Sequence, residues 1–212
     1  MKDFNPLLYF ITDSTGFLKE EFLKRVEEAI KGGVTLIQLR EKDKTTREYI
    51  EIAEEVHKIT KKYNIPLIID DRIDVALSIG AEGVHLGAED MPVDIARKIC
   101  GEDMLIGATA KTVERAVDAW EKGADYLGVG AIYPTTTKVK TVLTSTEMLS
   151  EICKAVPIPV NAIGGLNKEN IGILEGIDIS GICVVSAIMK AENPEIAAAE
   201  LKRQTRLILK RT

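Results

Sequence analysis

The chain has 212 residues, a length that allows one well-packed domain or at most two small ones. Its 28 basic and 33 acidic side chains give a net charge of −5, so no strong positive field favours nucleic acid or an anionic membrane, and we expect neither as a partner. The sequence shows no charged-then-apolar leader and no long apolar run. Its three cysteines form no metal-binding motif, and together these features predict a cytoplasmic protein with reduced thiols.

Short apolar runs alternate with amphipathic segments eight times along the chain. The runs are almost entirely apolar, which is typical of parallel strands covered by helices. The predicted strands are Leu7–Asp13, Thr35–Arg40, Pro66–Asp70, Gly83–Gly87, Leu105–Ala110, Tyr126–Tyr133, Pro159–Gly165 and Gly181–Ile188. The predicted helices are Glu20–Lys31, Thr45–Tyr63, Arg72–Ile79, Pro92–Cys100, Thr112–Lys122, Thr144–Ala155, Lys168–Leu174 and Pro194–Leu209.

Eight such strand–helix units predict an α/β fold, a single-domain (β/α)8 TIM barrel over residues 1–212. A doubly wound open sheet is the alternative. No GxGxxG follows the first predicted strand, so nothing indicates a dinucleotide-binding sheet of that kind.

Functional residues of such a barrel lie at the carboxyl ends of its strands. The second predicted strand ends in Gln38, Leu39, Arg40, Glu41 and Lys42. Strand alternation places Gln38 and Arg40 on one face, toward the barrel axis, and Lys42 lies just beyond them. The result is a local positive patch in an acidic protein, which suits a phosphorylated ligand. A solvated turn with salt bridges is the alternative.

Carboxylates follow the next two strands. Asp70 and Asp71 end the third, and Asp90 follows the fourth. Their hard oxygen atoms suit Mg²⁺, which usually takes one or two carboxylates together with substrate phosphate. Capping of the following helix by Asp70 or Asp71 is the alternative. His85 is predicted to be a hydrogen-bonded core histidine rather than a catalyst.

A second anion site is predicted after the last two strands. Gly164-Gly165 and Val185-Ser186 match the phosphate site of many barrels, where backbone N–H groups approach the phosphate near the start of a short helix. A tight glycine turn is the alternative. Two phosphorylated ligands meeting across one barrel mouth would account for both anion sites.

The segment after the sixth predicted strand carries polar groups of the same kind. Pro134 ends the strand, Thr135, Thr136 and Thr137 supply hydroxyl groups, and Lys138 adds a point charge. A phosphorylated ligand suits this set, and a solvated threonine-rich loop is the alternative.

In order and spacing, these motifs resemble the thiamine-phosphate synthase (thiamine-phosphate pyrophosphorylase) family over essentially the whole chain. The matching motifs are QLREK (Gln38–Lys42), DDR (Asp70–Arg72), GVHLG…D (Gly83–Asp90), PTTTK (Pro134–Lys138), AIGG (Ala162–Gly165) and VVSAI (Val184–Ile188). The resemblance implies a transferase of thiamine biosynthesis. Such an enzyme joins 4-amino-2-methyl-5-(diphosphooxymethyl)pyrimidine to a thiazole phosphate, with or without a carboxylate, and releases pyrophosphate with the help of Mg²⁺.

The resemblance also implies roles for individual residues. The pyrimidine diphosphate would be bound by Gln38, Leu39, Arg40, Glu41, Lys42, Asp70, Thr109 and Lys138. The thiazole phosphate would be bound by Thr135, Thr136, Thr137, Gly165, Val185 and Ser186. Asp71 and Asp90 would bind the metal, and a homo-oligomer is possible.

The chain departs from the usual family pattern at four positions. Asp70 stands where Asn is usual, Ala88 where Gln is common, Thr109 where Ser is usual, and Lys111 where His is frequent. A related thiazole tautomerase is one alternative function, but its chemistry needs a proton carrier where this chain has Lys111. A non-catalytic barrel that only binds a thiamine precursor is the other alternative.

Overall fold

The computed structural model describes residues 4–134 and 142–210. Eight parallel strands follow one another around a closed barrel in chain order, as the sequence predicts. The strands are β1 Leu8–Ile11, β2 Leu36–Leu39, β3 Leu67–Asp70, β4 Gly83–Leu86, β5 Leu105–Ala110, β6 Tyr126–Gly130, β7 Val160–Ile163 and β8 Gly181–Val184. The helices are α1 Lys19–Lys31, α2 Thr46–Lys62, α3 Ile73–Ile79, α4 Val93–Cys100, α5 Val113–Glu121, α6 Thr146–Ala155, α7 Ser186–Met189 and α8 Pro194–Ile208.

Two apolar layers stabilise the barrel. The larger lies between the strands and the surrounding helices and includes Phe10, Val26 and Leu67, all fully buried. The smaller fills the barrel interior, where Tyr9 and Tyr126 are among the largest buried side chains. Because both faces of every strand are covered, the strands need apolar residues on both sides, which explains the continuous apolar runs in the sequence.

Side-chain caps fix the start of several helices. At α2 the Thr45 side chain accepts from the Glu48 N–H and the Glu48 carboxylate accepts from the Thr45 N–H, a complete capping box. At α5 the Thr112 side chain accepts from the Arg115 N–H. These caps set the points at which the chain turns from the barrel mouth into each helix.

Most predicted strands extend beyond the observed ones, including the first, which is predicted to reach Asp13 whereas β1 ends at Ile11. β6 ends at Gly130, β7 at Ile163 and β8 at Val184, and the apolar residues that follow β8 form the short helix α7. Ile188 and Met189 of that helix are buried, so the apolar run continues after the strand has ended. A short apolar run looks the same to sequence analysis whether it is strand or buried helix.

The predicted helix over 168–174 is wrong in type and length. The chain forms only a four-residue 3-10 helix, Ile171–Leu174. Ile171 and Leu174 are buried three residues apart, which is the spacing that a 3-10 turn places on one face.

Across the described ranges, no helix has the length and apolar character needed to cross a membrane.

Candidate active site

The cationic residues after β2 meet the carboxylates after β3, as the sequence predicts. The Lys42 Nζ atom lies 2.9 Å from Asp70 Oδ2 and also contacts Asp71 Oδ2. The Arg40 Nε atom lies 3.6 Å from the same Asp70 oxygen. Two cations and two carboxylates therefore form one charge cluster at the barrel mouth.

Burial makes the charge of Asp70 costly. Only 8% of this residue is exposed, and burial, together with the neighbouring Asp71, raises the pKa of Asp70 to about 6 despite the opposing effect of Lys42 and Arg40. Burial alone would lower the pKa of Lys42, but its contacts with Asp71 and Asp70 outweigh that effect and raise it. Lys42 is therefore a permanent cation at neutral pH.

Asp71 and Asp90 face each other. Their carboxyl groups share a hydrogen bond, and Asp90 Oδ2 also accepts from the Gly87 N–H at 2.6 Å. Burial raises the pKa of Asp90, and the Asp71 hydrogen bond raises it further. For Asp71, burial is outweighed by the hydrogen bond from Asp90 and by Lys42, so its pKa lies below the ordinary value. Two charged carboxyl groups this close repel each other, so Asp71 loses its proton before Asp90 does.

The backbone at Asp71 is unusual. Its φ is +59°, in the left-handed region that residues other than glycine rarely adopt. Such conformations persist where the surrounding structure enforces them and concentrate at functional sites. The alternative role as a helix cap is not what the structure has, because α3 begins after Arg72 with no side-chain capping bond. The two carboxylates are directed to the mouth instead.

The acidic pair offers the oxygen ligands that a divalent cation prefers. Within residues 4–134 and 142–210, no group of three or more acidic, histidine or cysteine side chains is arranged to hold a metal ion. A metal at Asp71 and Asp90 would therefore complete its coordination with water or ligand oxygen. Mg²⁺ usually binds in this way, through one or two carboxylates and substrate phosphate.

The side chains of two residues of the predicted diphosphate site are already packed or paired within the protein. Leu39 is fully buried in the layer between barrel and helices, so only its backbone can reach a ligand. Glu41 accepts from Ser14 Oγ at 2.8 Å and pairs with Lys44 at 3.5 Å, while burial raises its pKa. Glu41 therefore joins the loop after β1 to the loop after β2.

Gln38 points into the barrel, where sequence analysis missed its partners. Its Nε2 donates to the Tyr9 hydroxyl at 2.7 Å, and Tyr9 bonds to Tyr126 at 2.8 Å. His85 lies 3.3 Å from the Tyr126 hydroxyl and 3.0 Å from Thr109 Oγ1. His85 is thus the hydrogen-bonded core histidine that the sequence predicts. The two tyrosines carried no signal in the sequence beyond their place at strand starts.

The predicted phosphate site after β7 and β8 is formed by two neighbouring strands. Ile163 pairs with Cys183, so Gly165 and Val185, each two residues further on, follow their strands at the same height along the barrel axis. Gly165 has φ +63°, and a Cβ atom there would lie 2.7 Å from the Pro134 carbonyl oxygen. Val185 precedes α7 without a side-chain cap, and its carbonyl accepts from the Ile188 and Met189 N–H groups. The first N–H groups of the helix, those of Ser186 and Ala187, have no acceptor within it.

The threonine-rich segment is the remaining part of the prediction. Thr135, Thr136, Thr137 and Lys138 lie outside the described residues. The chain leading to them passes beside the phosphate site, because Tyr133 N–H donates to the Gly164 carbonyl at 3.0 Å. Lys111, after β5, donates to the Val142 carbonyl at 3.4 Å, where the described chain resumes.

Comparison with known proteins gives consistent matches over this architecture. A family model described as thiamine monophosphate synthase matches residues 8–188. The thiamine-phosphate synthase of Clostridium tetani is 51% identical over 201 residues, covering 94% of this chain and 96% of the relative. That of Methanobrevibacter smithii is 47% identical over 204 residues, covering 96% of this chain and 97% of the relative. A solved structure, thiamine phosphate pyrophosphorylase from Pyrococcus furiosus, superposes with a TM-score of 0.87 at 40% identity and 96% coverage of both chains.

Proposed function

The chain belongs to the thiamine monophosphate synthase family of transferases in thiamine biosynthesis, and we propose that it joins 4-amino-2-methyl-5-(diphosphooxymethyl)pyrimidine to a thiazole phosphate with release of pyrophosphate. The observation that carries this proposal is the contact of Lys42 with Asp70 and Asp71, beside Arg40. A mouth with cations and carboxylates so close together suits a ligand that is itself a metal-bound polyanion.

The diphosphate would bind at the end of β2. Arg40 and Lys42 are its cationic partners there, and Lys138 is the third. Gln38 and Thr109 would orient the pyrimidine ring, since both lie on interior-facing positions of their strands and end the same hydrogen-bonded line. The full set is Gln38, Leu39, Arg40, Glu41, Lys42, Asp70, Thr109 and Lys138, with Leu39 contributing its backbone only.

The thiazole phosphate would bind on the opposite side of the mouth. Gly165 lets the backbone approach a phosphate because it has no side chain, and the turn from Val185 to Ser186 presents N–H groups beside it. The hydroxyl groups of Thr135, Thr136 and Thr137 would complete this site.

Asp71 and Asp90 would hold Mg²⁺. Their facing carboxyl groups fit the ion because a divalent cation would offset the repulsion between them. When bound, Mg²⁺ would neutralise charge on the diphosphate and make it a better leaving group.

The reaction requires no nucleophilic side chain. The carbon–oxygen bond between the pyrimidine methylene and the diphosphate breaks, and the electron pair leaves with pyrophosphate. Arg40, Lys42 and Lys138 stabilise that developing charge, while the electron-rich aminopyrimidine stabilises the benzylic-type cation. The thiazole nitrogen then donates its lone pair to form the carbon–nitrogen bond. The protein contributes positioning and electrostatic stabilisation.

A product assay tests this proposal. The purified protein, Mg²⁺ and both substrates should yield pyrophosphate and thiamine phosphate in equal amounts, and omission of either substrate should abolish both products. Conversion of a thiazole carboxylate phosphate to an isomer, with no pyrophosphate, would identify a tautomerase instead. Tight binding of the pyrimidine diphosphate without any turnover would identify a non-catalytic binding protein.

A further inference from the structure

A continuous line of hydrogen bonds crosses the barrel interior and joins Gln38 to Thr109. It runs from Gln38 Nε2 to the Tyr9 hydroxyl at 2.7 Å, and from Tyr9 to the Tyr126 hydroxyl at 2.8 Å. It continues from Tyr126 to His85 Nδ1 at 3.3 Å, and from His85 Nε2 to Thr109 Oγ1 at 3.0 Å. Thr109 is half-buried at the barrel mouth, while Gln38, Tyr9 and Tyr126 are buried below it.

Two glycines, Gly107 and Gly128, make room for this line of hydrogen bonds in the barrel interior. A Cβ atom at Gly107 would lie 2.2 Å from Tyr126 Cζ and 2.5 Å from His85 Nδ1. A Cβ atom at Gly128 would lie 3.3 Å from His85 Cε1. Both positions face the barrel interior, where a small residue on β5 and another on β6 allow the phenol and imidazole rings to meet. The tyrosine and histidine rings are therefore held in place by shape as well as by hydrogen bonds.

The partners of Tyr9 determine which group donates in each hydrogen bond of the line. Tyr9 accepts from Gln38, and among the described residues its hydroxyl has one further hydrogen-bond partner, Tyr126. A buried hydroxyl proton needs an acceptor, so Tyr9 donates to Tyr126. Tyr126 then donates to His85 Nδ1, which leaves the imidazole proton on Nε2, directed at Thr109.

The order of the protons determines how Thr109 can bond to a ligand at the barrel mouth. Thr109 Oγ1 accepts from His85 Nε2, so the hydroxyl proton of Thr109 remains to be donated to a ligand. If the line ran in the opposite direction, Thr109 would donate to His85 and the buried Tyr9 hydroxyl would have no acceptor. The two directions therefore predict opposite hydrogen-bonding roles for Thr109.

We propose that Tyr9, Tyr126 and His85 are positioning residues that fix Thr109 as a hydrogen-bond donor to an acceptor atom of the pyrimidine diphosphate. This inference rests on the proposed function for the identity of the ligand, but the order of the protons does not depend on it. None of the three positioning residues needs to contact the substrate. Their effect passes through the hydroxyl orientation of Thr109.

The first test is the protonation of His85 in the substrate-free protein. The sequence has only two histidines, His57 and His85, so nitrogen NMR of the histidine-labelled full chain gives two sets of ring signals, and His57→Gln identifies one of them. We expect His85 to carry its proton on Nε2 with Nδ1 unprotonated. A proton on Nδ1 would overturn the proposal.

The second test uses variants that remove single hydroxyl groups. Tyr126→Phe should raise the Michaelis constant for the pyrimidine diphosphate by about three- to tenfold, the effect of weakening one hydrogen bond, with little change for the thiazole phosphate. Thr109→Val should do the same, and the two together should cost no more than Thr109→Val alone, because both act through one hydroxyl. Additive effects, or equal effects on both substrates, would contradict the proposal.

A matched control separates positioning from stability. Tyr63→Phe removes a different tyrosine hydroxyl, one that donates to Glu27 at 2.7 Å and takes no part in the line. It should leave both Michaelis constants and the His85 signals unchanged. If Tyr126→Phe does not fold, Thr109→Val and the protonation of His85 in the unsubstituted protein decide between the two proton orders. If neither substrate turns over in the wild type, the proposed function fails, and the NMR result still decides the order of the protons.

Discussion

The ammonium group of Lys42 lies 2.9 Å from the carboxylate of Asp70, so a lysine on the loop after β2 partly offsets a charge that the end of β3 buries. The compensation is incomplete, because the pKa of Asp70 remains raised to about 6. Keeping Asp70 charged at the barrel mouth therefore lowers the stability of the substrate-free protein. A ligand bearing both a cation and a polyanion would rearrange these contacts.

Asp70→Asn should stabilise the substrate-free protein above pH 6. Because the pKa of Asp70 is raised in the folded state, the stability that its protonated form provides is lost as pH rises from about 4 through about 6. Removal of the charge should restore up to about 3 kcal/mol at pH 8, since one pKa unit corresponds to about 1.4 kcal/mol. Urea unfolding in EDTA at several pH values measures this, and the variant should lack the decline between pH 4 and 6.

The control for that variant is Asp74→Asn. Asp74 is exposed and pairs with Arg72, which holds the pKa of Asp74 below its ordinary value, so its loss should not increase stability. If Asp70→Asn destabilises the protein at pH 8 as well, the contact with Lys42 outweighs the cost of burial. We also expect Asp70→Asn to retain activity, because the family resemblance implies Asn at this position.

Asp71→Asn should weaken the dependence on Mg²⁺ and lower the rate together. An amide cannot replace a carboxylate charge beside the metal, and we expect the Mg²⁺ concentration for half-maximal rate to rise by at least about tenfold. Titration of Mg²⁺ in the pyrophosphate-release assay measures this, with Asp94→Asn on the exposed surface of α4 as the control. Full activity of the wild type in excess EDTA would remove the metal from the mechanism.

Gly165→Val should raise the Michaelis constant for the thiazole phosphate much more than that for the pyrimidine diphosphate. The new side chain would occupy the space that the phosphate needs, and the left-handed φ together with the contact at Pro134 should also lower stability by about 1–3 kcal/mol. Gly172→Val is the control, since a Cβ atom there meets no atom within 4 Å. Equal increases for both substrates would show that Gly165 is not part of a site for one of them.

Lys138→Ala should lower turnover far more than stability. We expect a loss of about 2–4 kcal/mol of transition-state stabilisation, the usual effect of removing one charge-stabilising group. Single-turnover rates at saturating substrate measure the loss, and thermal unfolding should shift little. Lys140→Ala, two residues along the same segment, is the matched control. An unchanged turnover rate in Lys138→Ala would exclude this lysine from stabilising the leaving group.

The barrel and the position of its mouth follow from sequence because local patterns determine them. Eight apolar runs separated by amphipathic helices leave few other topologies, and a barrel places every strand end at one face. The contact of Lys42 with Asp70 is predictable in the same way, since both residues follow neighbouring strands.

The interior line of hydrogen bonds from Gln38 to Thr109 could not be predicted from the sequence. Tyr9 and Tyr126 are 117 residues apart, and their contact depends on how side chains fill the barrel. The sequence shows that tyrosines occur near the starts of two strands, but it does not predict which interior side chains meet across the barrel axis. Gly107 offers a retrospective signal, because a glycine at an interior strand position makes room for a large neighbour. The helix α7 was hidden for a related reason, since its apolar residues extend the run of β8.

One barrel mouth should hold two phosphorylated substrates at separate sites. The most direct measurement is a crystal structure of the full chain with the thiazole phosphate, pyrophosphate and Mg²⁺. We predict the monophosphate on the backbone of Gly165 and Ser186, and the pyrophosphate against Arg40 and Lys42 with the metal on Asp71 and Asp90. A monophosphate bound at Arg40 and Lys42, with pyrophosphate on Gly165, would contradict the assignment of the two sites.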